Sequence, residues 1–345
     1  MNAYFLPPEW YGQDAIMLTW PHEQTDWKSN LAKVEPVYVE LSQQICARQN
    51  LLIVCNHDGL KQSVEKLLEQ QQVDLKRVHF VVCPTDDTWA RDHGPITLIN
   101  KQGNLLALDF TFNGWGNKFN ACNDNQINQH IFKQFSINYQ ALEFVLEGGA
   151  IEADGNGCLM VTSECLLNPN RNPSFTKDEI EQQLKRHFGC SKVLWLEHGA
   201  LDGDDTDAHI DTLARFAPAN KIVYQGCDDP QDNHFSSLAK MKSQLAKFTN
   251  HLDQPYKLYQ LPWPDAQYDM HNQRLPATYA NFLIINGAVL LPVYGVKQDQ
   301  QAIKIMQQVF DKHEVIPINC LPIIEQFGSL HCITMQLPQG FLQQV

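Results

Sequence analysis

No apolar run in this 345-residue chain approaches the length of a membrane span, so a bilayer-spanning helix is not expected. Paired cysteines are missing as well. The ten cysteines stand at positions 46, 55, 83, 122, 158, 165, 190, 227, 320 and 332, and no two have the two-residue gap of a zinc knuckle or a redox dithiol. Neither a structural metal nor a disulfide framework is indicated. Basic clusters are also lacking: 26 Lys and Arg against 39 Asp and Glu leave a net charge of -13, which argues against a nucleic-acid partner. The same balance is compatible with a small cationic substrate. The segment Met1 to Pro8 has no basic stretch followed by an apolar one, and a reduced, cytoplasmic setting is the expectation. No Pro, Gly or Ser-rich linker interrupts the chain, low complexity is confined to short glutamine runs such as 70–72, and no repeat is visible. One domain over residues 1–345 is therefore expected.

What is present is an alternation of short β-branched runs with helical stretches. Strands are expected near 15–20, 51–55, 79–83, 95–99, 105–110, 144–147, 158–162, 193–197, 212–216, 221–225, 256–261, 281–285, 288–293 and 331–336. Helices are expected near 29–49, 60–71, 126–135, 177–187, 235–247 and 300–312. Strands outnumber helices by roughly two to one, too many for a plain doubly wound sheet. A ring of small α/β modules accounts for the ratio better.

Four motifs carry candidate chemistry. In Phe327-Gly328-Ser329-Leu330-His331-Cys332-Ile333-Thr334 a cysteine follows a small-residue turn at the entrance to a strand, where substrate can reach a thiol. A cysteine nucleophile needs a histidine to move protons and a carboxylate to orient it. His209, between Asp207 and Asp211, fits if the segment is extended, because residues two apart then share a face. The alternative for this stretch is a solvated acidic loop. Asp92 follows Trp89 and Arg91 and precedes Gly94-Pro95; a carboxylate beside an aromatic face suits a planar cation, although an internal ion pair with Arg91 would use the same residues. Glu147 closes an apolar run before Gly148-Gly149, where missing side chains allow close approach.

These motifs resemble those of the agmatine deiminase family, grouped with the bacterial peptidylarginine deiminases in the guanidine-modifying, or pentein, superfamily. The likeness runs nearly end to end. It takes in Pro7-Pro8-Glu9-Trp10, Thr19-Trp20-Pro21, Asn113-Gly114-Trp115-Gly116-Asn117-Lys118, Asn168-Pro169-Asn170-Arg171-Asn172-Pro173 and Leu275-Pro276-Ala277-Thr278-Tyr279-Ala280-Asn281-Phe282. The resemblance implies a five-bladed, pseudo-symmetric α/β propeller. It also implies roles: Cys332 as nucleophile, His209 as general acid and base, Glu147 as its carboxylate partner, Asp92 and Asp211 as guanidinium clamps, and Trp89 and Trp115 as pocket walls. Two departures stand out, Ala208 where relatives usually carry glycine before the histidine, and the Phe327 to Leu330 run before the cysteine.

The implied reaction is hydrolysis of the guanidinium of agmatine to N-carbamoylputrescine and ammonia through an amidino thioether on Cys332, with no metal or organic cofactor. In it a protonated His209 close to the thiolate would lower the Cys332 pKa. Free arginine would bring a carboxylate for which no basic partner is apparent, since Arg91 adjoins Asp92, and Arg171 and Arg215 show no evident outlet to the site. The spare carboxylates Asp86, Asp87, Asp204 and Asp205 suit a diamine tail better. Peptidyl-arginine, converted to citrulline, is the alternative substrate, and amidino transfer a third. From a different class comes a non-catalytic metal-binding module built on Asp202, Asp204, Asp205, Asp207, His209 and Asp211. Oligomeric state is left open, a homodimer among the options.

Overall fold

The computed structural model describes residues 3–342. Its strands fall into five sheets of three or four strands and one two-stranded ribbon. Four sheets share one plan: two antiparallel strands joined by a tight turn, a helix, and a third strand parallel to the second. This holds for Ile96–Ile99, Leu105–Thr111 and Tyr139–Val145 around the helix Ile127–Phe135. It holds for Ile151–Ala153, Cys158–Thr162 and Lys192–Leu196 around Lys177–Phe188. Ala214–Ala217, Lys221–Gln225 and Lys257–Leu261 repeat it around Phe235–Leu245. Leu283–Ile285, Ala288–Val293 and Glu314–Asn319 repeat it around Asp299–Val309.

In the fifth sheet the two ends of the chain meet. Thr334–Pro338 runs antiparallel to Gln13–Thr19, which is parallel to Asn50–Cys55, itself parallel to Val78–Val82. Successive side chains of a strand point to opposite faces, and here both faces are buried. Ile16 and Leu18 enter one hydrophobic core, shared with Leu283 to Leu291, while Ala15 and Met17 enter a second, shared with Ile96, Leu98 and Val161. A third core joins Met160 and Leu194 to Phe216 and Tyr224. Each core thus welds neighbouring sheets together.

The expected strands 158–162, 221–225 and 288–293 have the observed bounds. Others shift. The strand expected from residue 331 begins at Thr334, and the one expected at 144–147 spans Tyr139–Val145, so Cys332 and Glu147 both lie in connecting segments. Ile151–Ala153, Glu314–Asn319 and the ribbon of Gln267–Tyr268 with Arg274–Leu275 were not expected.

Candidate active site

The site residues all occupy one kind of place. In the four repeated sheets the segment that enters the first strand carries one or more of them, and in the fifth the segment that enters the antiparallel edge strand does: Asp92 before Ile96–Ile99, Glu147 before Ile151–Ala153, His209 and Asp211 before Ala214–Ala217, Asn281 before Leu283–Ile285, and Cys332 before Thr334–Pro338. Five sheets therefore deliver polar groups to one cluster. A cavity of about 140 Å³ is lined by Trp89, Asp92, Trp115, Phe327 and Cys332, with Asp87, Asp204 and Asp205 also on its wall.

Asp92, Asp211 and His209 converge on Gly149. A β-carbon added there would lie 2.6 Å from His209 Nδ1, 2.8 Å from Asp92 Oδ1 and 3.2 Å from Asp211 Oδ2, so only glycine leaves the space for this convergence. Asp92 is nearly fully buried; its Oδ2 accepts from Trp115 Nε1 at 2.9 Å and its Oδ1 from the Gly149 amide at 3.0 Å. Burial, followed by the charge of Asp211, pushes its carboxyl well up from the usual range. Trp115 reaches Asp92 from a left-handed backbone (φ 56°, ψ 49°), a conformation costing a non-glycine residue about 1–3 kcal/mol and found where function holds it.

Asp211 behaves oppositely. Burial raises its carboxyl, but the hydrogen bond and charge of His331 outweigh it and hold Asp211 below the ordinary value. His331 Nδ1 lies 2.7 Å from Asp211 Oδ2, and its Nε2 lies 2.7 Å from Glu9 Oε2. An imidazole between two carboxylates can donate from both nitrogens only when doubly protonated. Glu9 in turn pairs with Arg215, which also binds Glu152 at 2.7 Å. A buried hydrogen-bonded chain, Arg215 to Glu9 to His331 to Asp211, thus ends in an aspartate held below its ordinary pKa whose other oxygen, Oδ1, has no hydrogen-bond donor among the described residues. Neither Glu9 nor His331 was assigned a role from sequence.

His209 is buried and neither ring nitrogen has a hydrogen-bond partner among the described residues; its nearest ion-pair contact is Asp92 Oδ1 at 3.6 Å. Burial lowers its pKa to about 3, against the pull of Asp211. That direction favours a neutral imidazole over the protonated His209 expected beside the thiolate. Glu147 does not hydrogen-bond to His209. Both its oxygens accept from Arg171 Nε, at 2.9 and 3.0 Å. Arg171, expected to have no outlet to the site, is buried behind it on Glu147, donating also to Asp207 at 2.7 Å and to the Thr206 carbonyl at 2.9 Å.

The extended reading of 207–211 is corrected too. Asp207 and Ala208 are left-handed (φ 66° and 62°) and Ile210–Thr212 is a 3₁₀ turn. His209 and Asp211 face the site while Asp207 pairs with Lys118 and Arg171. Asp204 accepts from the amides of Thr206 and Ala208 and organises the loop; among the described residues the carboxylates of this stretch do not come together as a set of ligands.

Cys332 is buried, and its thiol lies 3.4 Å from Asn281 Oδ1, which also accepts from the amides of His331 and Cys332 at 2.8 and 3.3 Å. Burial, then the charges of Asp211 and Asp92, push the thiol well up. Trp89 packs against Gly328, where a β-carbon would collide with its ring at 2.1 Å. Asn281 is thus a further site residue that the sequence did not single out; its signal is positional, since it enters a sheet as the others do.

Comparison with known proteins places this geometry. The model of the Porphyromonas-type peptidyl-arginine deiminase family matches residues 5–338. The agmatine deiminase of Stutzerimonas stutzeri is 30% identical, the match covering 99% of this chain and 97% of that protein. Among solved structures, a variant of the C. jejuni agmatine deiminase with substrate bound is similar at TM-score 0.91 and 38% identity, covering 98% of this chain and 97% of its own. A Porphyromonas gingivalis protein provisionally named an arginine deiminase is similar at TM-score 0.92 and 46% identity, covering 98% of this chain and 99% of its own. The chain belongs to the Porphyromonas-type peptidyl-arginine deiminase family.

Proposed function

We propose that the protein is an agmatine deiminase, a hydrolase that converts agmatine to N-carbamoylputrescine and ammonia, a step of putrescine formation. One observation carries the chemistry: a buried thiol stands beside two buried carboxylates, one of them ionised with an oxygen that lacks a donor. A planar guanidinium supplies the missing charge and N–H groups together. With Asp92 and Asp211 gripping it and Trp89 and Trp115 against its faces, its central carbon is presented to Cys332. The arriving cation offsets the charges that hold the thiol protonated. The thiol proton passes to neutral His209, the thiolate adds to the carbon, and imidazolium returns the proton to the departing nitrogen, so that ammonia leaves. Water, deprotonated by His209, then hydrolyses the amidino thioether and the thiolate is expelled. Glu147, paired with Arg171, sets the charge around His209. The similarity to agmatine deiminases over nearly the whole chain supports this reading.

Agmatine is favoured over arginine by the cavity wall. Asp205 presents a carboxylate with no hydrogen-bond donor among the described residues, suited to a distal ammonium, while Arg171 and Lys118 are taken up by acidic partners. The rival substrate is a peptidyl-arginine, as the family's name has it. Kinetics on agmatine, free arginine and a blocked arginine peptide, reading ureido product and ammonia, decide it. We expect kcat/KM for agmatine at least about tenfold above that for arginine, roughly 1.4 kcal/mol of transition-state binding. Equal or reversed preference would remove the agmatine assignment.

The same proposal takes the five sheets as blades of one five-bladed propeller forming a single domain. The repeated plan, the pairing of chain ends and the shared cores support it. A cytoplasmic setting is supported by ten cysteines that are all free.

A further inference from the structure

Behind the thiol chemistry lies a second set of ligand-type side chains. Glu147, Cys165 and His209 come from three different segments, are all buried, and each offers one ligand atom within 4.8 Å of the other two. Cys165 has no part in the reaction proposed above. Its segment, Ser163–Leu166, is a single helical turn capped by Thr162, which aims the thiol inward. The second observation is His209: among the described residues both ring nitrogens lack a hydrogen-bond partner although the side chain is 99% buried, so the ring is available as a ligand.

We infer that Glu147, Cys165 and His209 form a binding site for a borderline-soft divalent ion, Zn²⁺ above all, and that filling it shuts the enzyme off. One carboxylate, one imidazole and one thiolate with a water in the fourth position is a set that suits zinc rather than calcium or magnesium. Bond lengths of about 2.0–2.3 Å place tetrahedral ligand atoms closer together than 4.8 Å, and rotation of the untethered His209 ring and the Cys165 side chain closes the difference. Glu147 keeps lone pairs beyond those given to Arg171. Binding releases the Cys165 proton as the Zn–S bond forms, and the resulting thiolate, with Glu147 and Asp207 nearby, offsets the charge of Arg171. The ion takes the imidazole that must move protons, which is how it inhibits. The inhibitory half rests on the deiminase reading; the binding half does not.

The experiment reads the halves separately. Ammonia release from agmatine is measured across buffered free Zn²⁺ for the native protein and for Cys165→Ala, with Cys165→Ser, of nearly the same size, in reserve should the alanine variant fold poorly. Uninhibited rates within about twofold and zinc sensitivity weakened at least about tenfold are expected, the scale on which losing a ligand-shell partner changes metal affinity. Binding is read without turnover, by Co²⁺ titration of Cys332→Ala in which the exposed Cys122 is also replaced by serine. A thiolate-to-cobalt absorption band is expected there and should vanish when Cys165→Ala is added. Unchanged zinc sensitivity, or a band that persists when Cys165→Ala is added, would overturn the site; a Cys165-dependent band with no inhibition would keep the site and remove its effect on activity.

Discussion

At Gly149 the reaction leaves no room for a methyl group. Its φ is not left-handed, so alanine meets no backbone strain, only the side chains of His209, Asp92 and Asp211, proposed to act in the reaction. Gly149→Ala is expected to fold, with a melting temperature close to the native one, and to lose at least about 100-fold in kcat/KM, since small misplacements of reacting groups cost on that scale. Near-native activity would mean that His209, Asp92 and Asp211 do not act together. Ala208 is the converse. Its left-handed backbone suits glycine better than alanine, and Ala208→Gly should leave kcat unchanged and raise stability by up to about 1 kcal/mol in urea unfolding. The pH behaviour follows from Asp92. Burial and Asp211 raise its pKa, and a bound guanidinium favours the ionised form, so agmatine affinity rises as pH rises through the free-enzyme value and falls below it. With Cys332→Ala removing both turnover and the thiol, calorimetry in buffers of different ionisation heat should detect proton release on agmatine binding. No release, with pH-independent affinity, would contradict the assignment.

The entrance segments work because rigid strands follow them and buried ion pairs lie behind them. Burial alone would raise the Glu9 carboxyl, but Arg215 and His331 outweigh it and hold it far below the usual range. Breaking a buried pair from one side costs about 3–5 kcal/mol, and Glu9→Gln should destabilise the protein by that much in urea and raise KM for agmatine, because His331 loses the partner that fixes it on Asp211. A change below about 1 kcal/mol would show the chain to be dispensable. Much of this level is legible in the sequence. Lys221–Gln225 and Ala288–Val293 are apolar runs buried on both faces, and their bounds follow from composition. Glu314–Asn319 hides behind Pro317 at the edge of its sheet, and Ile151–Ala153 is too short to show a period. Motifs located Asp92, Glu147, His209, Asp211 and Cys332. They could not show that Glu9 meets His331, 322 positions away, or that Arg171 rather than His209 holds Glu147, because such partnerships leave no local pattern.

At the scale of the whole molecule, part of the acidic excess lies at the cavity: its wall carries Asp87, Asp92, Asp204 and Asp205, and a dication gains on approach what an anion loses. Activity is expected to survive prolonged EDTA treatment, because every proposed step uses side chains and water; loss of activity restored by a divalent ion would contradict the mechanism. The placement of Cys332 before the strand that pairs with Gln13–Thr19 has a further meaning in the order of synthesis. Asp92, Glu147, His209, Asp211 and Asn281 all leave the ribosome earlier, so a growing chain can assemble much of its cation trap while still lacking the group that reacts. The thiol comes into register only when Thr334–Pro338 closes onto Gln13–Thr19, so the proposed nucleophile is the last of these groups to be placed, and its reactivity reports that this long-range strand pairing has formed.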